Sequence, residues 1–143
     1  MPHSPRLHNG RLWLLNSGRG EFGWVNLEKR SFNPVTFCPG FARGLYFVGK
    51  YALIGLSEPR EGKTFDGLPL QDRMSEKGIT ARCGLIVVDT ETGETVQWLR
   101  IEGVVAERYD VSFLQGVIRP ASIGINGPEN NTRLRWRLTD TPH

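Results

Sequence analysis

The feature that most constrains this chain is that it repeats itself. Gly10-Arg11-Leu12-Trp13-Leu14-Leu15 aligns with Gly49-Lys50-Tyr51-Ala52-Leu53-Ile54, and Trp24-Val25-Asn26-Leu27-Glu28 aligns with Val87-Val88-Asp89-Thr90-Glu91. A third start, Asp110 to Gly116, matches Arg43 to Gly49. Setting aside an insertion after Leu56, the unit is about 40 residues long, the size of one four-stranded propeller blade. Units of this kind bury their faces on one another rather than folding alone.

Within the units, short runs rich in Val, Ile, Trp, Tyr and Phe lie between Gly, Pro, Asn and charged turns. They predict strands at residues 11–15, 22–26, 34–38, 44–48, 51–56, 84–89, 95–100, 108–114 and 121–125. Gly49 and Gly93 stand where hairpin turns need a positive φ. The expected fold is therefore all-β, built of antiparallel four-stranded blade units and partially β-propeller-like. Residues 1–126 form the partial propeller-like domain, with an inserted loop at 57–82 that carries a short helix after Pro69. Residues 127–143 form a C-terminal tail in which Leu134, Trp136 and Leu138 alternate with Arg133, Arg135 and Arg137, the pattern of a covering strand. A closed propeller needs four blades or more, and only two and part of a third are present. The chain is thus expected to associate with itself or with a complementary propeller half, unless the tail caps the bare face.

Composition narrows the partners. Across 143 residues, 18 Lys and Arg against 15 Asp and Glu leave a net charge of +3, spread along the chain apart from the three arginines of the tail. That is too weak for a nucleic-acid partner, and no apolar run is long enough for a membrane span. Cys38 and Cys83 sit in apolar runs with no export signal ahead of them, so buried free thiols and a cytoplasmic location are expected.

Several strings then fall in a telling order. They are Met1-Pro2-His3-Ser4-Pro5-Arg6, Leu12-Trp13-Leu14-Leu15-Asn16-Ser17-Gly18-Arg19-Gly20-Glu21, Phe37-Cys38-Pro39-Gly40-Phe41-Ala42-Arg43-Gly44-Leu45 and Gly55-Leu56-Ser57-Glu58-Pro59-Arg60-Glu61. Cys83-Gly84-Leu85, Trp98-Leu99-Arg100-Ile101-Glu102-Gly103-Val104-Val105, Tyr109-Asp110-Val111 and Gly116-Val117-Ile118-Arg119-Pro120 follow. Over roughly residues 1–125 the chain resembles the C-terminal half of the bacterial family known as domain of unknown function 4915. The resemblance implies a propeller-like fold and supplies no catalytic residues. The chain departs from the family in lacking its N-terminal blades and in residues 127–143.

In a propeller the innermost strands line a channel, and the loops entering them converge at one mouth. Arg43 stands just before the strand at 44–48, Asp110 holds the corresponding place one unit later, and Tyr109 is beside it. With His3, Arg6, Glu58 and Arg60, expected in loops at the ends of neighbouring strands, they would form a polar funnel for a small anionic or polyhydroxylated ligand, or for a protein partner. An Arg43–Asp110 ion pair holding two blades together is the structural alternative.

No cofactor is expected. The rival functional reading is a metal-dependent lactonase-like hydrolase, whose ligands would come from His3, Asn16, Glu58 and Asp110, without any HxH or CxxC spacing in support. Ser4, Ser17 and Ser57 lack a nucleophile elbow. Gly18-Arg19-Gly20 lacks the strand and helix of a dinucleotide site and reads as a hairpin tip. Trp13, Trp24 and Trp98 lie in expected strands, where packing between blades is favoured over sugar stacking.

Overall fold

The structure, a computed structural model, describes residues 1–58, 67–102 and 109–118. Eight strands form two sheets. The first contains β1 (Pro2–His8), β2 (Arg11–Asn16), β3 (Glu21–Asn26) and β4 (Ser31–Phe37). The second contains β5 (Phe41–Val48), β6 (Tyr51–Ser57), β7 (Gly84–Asp89) and β8 (Thr95–Arg100). In each, the spatial order is the sequence order and every neighbour is antiparallel. The chain is all-β and antiparallel, and among the described residues neither sheet closes on itself. The segments that align in the sequence fall on equivalent strands, β2 with β6 and β3 with β7.

Two local expectations need correction. The first strand, Pro2–His8, was not expected, because two prolines in seven residues argue against a sheet. It is an edge strand, bulged between His3 and Arg6, where a missing amide donor is tolerated. His3 and Arg6 therefore lie on a strand and not in a loop, and Arg43 lies inside β5 instead of before it. The strand expected at 108–114 is also absent, since residues 109–114 carry no ladder. They press on the second sheet at Gly44 and Gly55 without pairing with it as a strand. The strand expected at 121–125, the tail at 127–143 and Arg60 lie outside the described residues.

The facing sides of the two sheets make one core. Residues directly opposite each other share a face. Trp13, Leu15 and Phe22 from the first sheet meet Ala42, Leu45, Ile54, Ile86 and Val88 from the second. Trp13 stacks on Phe22 at 5.0 Å between centroids, and both approach Phe47. Ser17, in a single 3-10 turn (Ser17–Arg19), is fully buried and donates its hydroxyl proton to the Ala42 carbonyl (2.5 Å), tying the sheets together.

The helix of the insertion, α1 (Pro69–Glu76), starts at a proline, which the first turn accepts because its amide needs no partner there. Leu70 and Met74, one turn apart, bury against Phe41, Ala81 and Phe37. Arg73 pins the helix to the first sheet. Its guanidinium donates to Glu21 Oε1 and to the Arg19 carbonyl, each at 2.7 Å, and lies over the Phe37 ring.

By its internal contacts the chain divides into a unit Met1–Phe113 and a unit Leu114–His143. The described part of the second unit, residues 114–118, is a turn in which the Val117 amide donates to the Leu114 carbonyl (3.4 Å). Among the described residues no helix is long and apolar enough to cross a membrane.

Candidate functional site

β1 and β5 are the edges of their sheets, and they lie side by side, with the Gly44 amide donating to Ser4 Oγ at 3.1 Å. Both strands are bulged at the same place. The register of β1 shifts across Ser4 (φ 49°) and that of β5 across Gly44 (φ 76°). A bulge re-aims the neighbouring side chains. The residues just before the two bulges are His3 and Arg43.

These two side chains converge on one aromatic ring. His3 meets Phe41 edge-on, 5.4 Å between centroids, and the Arg43 guanidinium lies 5.1 Å from the same ring and 5.7 Å from that of Tyr109. Burial, and then the charge of Arg43, push the His3 imidazole below its usual pKa, so it is neutral at pH 7. Nε2 of His3 and Nε of Arg43 are buried and have no hydrogen-bond partner among the described residues. The arginine Nε–H can only donate, and His3 Nε2 donates in the Nε2–H tautomer or as imidazolium. A buried donor without an acceptor costs about 1–3 kcal/mol. Both nitrogens belong to side chains that pack against Phe41.

Asp110 stands beside them. Its backbone packs on Gly44, where a Cβ would lie 2.6 Å from the Asp110 carbonyl carbon and the Val111 nitrogen. Its carboxylate accepts from the Val111 amide (2.9 Å) and faces Arg6 at 3.8 Å. The expected ion pair is thus corrected in its partner: the cation opposite Asp110 is Arg6, and Arg43 stacks on aromatic rings. The Arg6–Asp110 pair is largely exposed, so it orients more than it stabilises.

Glu58 follows Ser57, which pairs with Phe41 at the start of β5, and its Oε1 accepts from the Cys83 amide at 3.4 Å. That carboxylate braces the ends of β6 and β7. Three of the four suggested metal ligands are engaged separately, each with a partner of its own. Asn16 donates to Glu21 (3.0 Å), and Asp110 and Glu58 are engaged as above. Among the described residues no three His, Cys, Asp or Glu side chains are grouped to hold a metal. Cys38 and Cys83 are buried free thiols, and burial pushes Cys38 up to about 12.

Phe41 and Gly44 belong to the site and were not singled out from sequence, and Ser4 was considered only as a nucleophile. The available signal was that Ser4 and Gly44 each follow a polar residue in an edge strand. The two prolines of β1 hid that equivalence.

The family model described as Domain of unknown function (DUF4915) matches residues 1–123. The chain belongs to that family. The match contains all of His3, Ser4, Arg6, Phe41, Arg43, Gly44, Tyr109 and Asp110, so the whole edge-strand cluster of this DUF4915 domain lies within it. Among curated proteins and solved structures, none matches the chain.

Proposed function

We propose that this DUF4915 chain is a propeller-type binding module whose inner-strand mouth takes a small anionic ligand. The observation that carries the reading is the pair of buried nitrogens without a partner among the described residues, His3 Nε2 and Arg43 Nε, on side chains that both pack against Phe41. A carboxylate or phosphate oxygen satisfies both and gains a charge-assisted bond to the guanidinium. An anion suits the mouth better than a neutral polyol, because the only carboxylate in the cluster, Asp110, already faces Arg6. Two adjacent four-stranded sheets with neighbouring bulged inner edges support the blade reading. The buried free thiols support a reducing, cytoplasmic setting.

Calorimetric titration with citrate and inorganic phosphate tests the site. Arg43→Ala is expected to weaken binding at least tenfold, the worth of one charged hydrogen bond, while Arg11→Ala, on the exposed first residue of β2, leaves it unchanged. Equal affinities for wild type and Arg43→Ala contradict the reading, provided that both proteins unfold at the same denaturant concentration.

The outward faces of the sheets support a partner of the same architecture. Leu7 and Tyr46 are exposed on these faces, in line with Leu12 and Leu53. Exposed apolar rows of this kind pack on further sheets, from a second copy of the chain or from a complementary propeller half. Light scattering over a range of concentrations is expected to show assembly beyond the monomer, weakened by Leu7→Lys. A monomer at every concentration contradicts self-association.

A further inference from the structure

Trp98 is out of keeping with its row. Ile54, Ile86 and Trp98 are paired in succession across β6, β7 and β8 and share the core face. Their exposures are 0%, 5% and 66%. Packing between sheets, expected for this tryptophan from sequence, does not occur. The outer strands of the two sheets touch where Thr36 Oγ1 donates to the Gly93 carbonyl (2.5 Å), at the β7–β8 turn. Beyond that contact a groove of about 330 Å³ runs from Thr95 to Arg100, with Phe37, Leu56, Ile79 and Ile86 among its walls.

The lining is mostly apolar, and its polar side chains are Thr95, Arg82 and Arg100. Arg100 is already paired with Glu102 at 3.1 Å. Arg82 is exposed, and its guanidinium has no ion pair or hydrogen bond among the described residues, although its backbone amide is fixed to the Pro39 carbonyl (3.3 Å). An exposed cation on the wall of an apolar groove is complementary to an apolar chain that ends in a negative charge.

We infer that this groove, remote in composition from the His3–Arg43 cluster, is a second binding site, for a free medium-chain carboxylate. The alkyl chain lies along Trp98, Ile86 and Leu56, and the carboxylate pairs with Arg82. Trp98, Ile86 and Leu56 supply affinity that grows with each methylene taken out of water, and Arg82 supplies the preference for an anionic head.

Calorimetric titration of the full chain with hexanoate, octanoate and decanoate, and with decanol as the uncharged counterpart, tests the assignment. Saturable one-to-one binding is expected, tightening about threefold to fourfold per methylene. Arg82→Gln is expected to weaken decanoate about tenfold, to the affinity of decanol, and to leave decanol unaffected. Trp98→Ala is expected to weaken both. Because both substituted side chains are exposed, the variants should keep the wild-type circular dichroism. Should Trp98→Ala lose it, Arg82→Gln and the chain-length series carry the test. Three results would overturn the proposal: no saturable decanoate binding by wild type, no dependence on chain length, or equal decanoate affinity in wild type and Arg82→Gln.

Discussion

Gly44→Val is expected to destabilise the protein by about 2–6 kcal/mol. Gly44 adopts φ 76°, and a β-branched residue there carries backbone strain of about 1–3 kcal/mol. Its Cβ would also meet three backbone atoms of Asp110 and Val111 at 2.6 to 2.7 Å. Backbone cannot swing aside like a side-chain tip, so overpacking adds about 1–3 kcal/mol. The loss is a large share of the about 5–15 kcal/mol that holds a domain together, and urea denaturation measures it directly. Gly49→Ala provides the contrast. Gly49 has a similar φ of 57° but open space around its Cβ, so it should lose only the strain. Equal effects at the two positions would show that the close approach of residues 110–111 to β5 contributes nothing.

Phe22→Ala is the second large loss, about 3–5 kcal/mol. Phe22, the second residue of β3, is completely buried opposite Leu15, with Trp13 stacked on it and Phe47 tilted toward both rings. Rings held from two sheets cannot all close over the gap, so the cavity persists and adds to the lost transfer energy. Phe32→Ala, on the half-buried opposite face of the first sheet, should cost far less. A thermal melt of the two variants gives the comparison.

How much of this was written in the sequence differs from element to element. β2, β3, β6 and β7 were legible because their apolar residues sit on strict spacing between turn residues, and the same spacing occurs twice. The helix was legible from Pro69 and from Leu70 and Met74 one turn apart. β1 was not, because Pro2 and Pro5 are tolerable only on an edge strand beside a bulge, and an edge is a property of the assembled sheet. Repeat alignment gave Arg43 and Asp110 the same place, and the Asp110 backbone does lie against Gly44, although the strand expected there does not form. Their chemistry was misjudged, since a repeat aligns backbone positions and cannot say which cation a carboxylate will turn toward. Trp98 was misjudged for the same reason. Pattern alone shows which face a residue takes, and not whether the opposing sheet extends far enough to cover it.

The central claim is that His3 and Arg43 together receive an anion, and the ionisation of His3 reports on it most directly. In the free protein, burial and Arg43 hold its pKa below the usual value. A bound negative charge in contact with both residues stabilises the imidazolium and reverses that depression. By linkage the anion then binds more tightly as the pH falls through the titration of His3. The measurement is an NMR titration of the His3 ring, alone and with excess citrate or phosphate. The account predicts a pKa that is low in the free protein and higher with the anion present. A His3 titration curve that is identical with and without a large excess of both anions would contradict it.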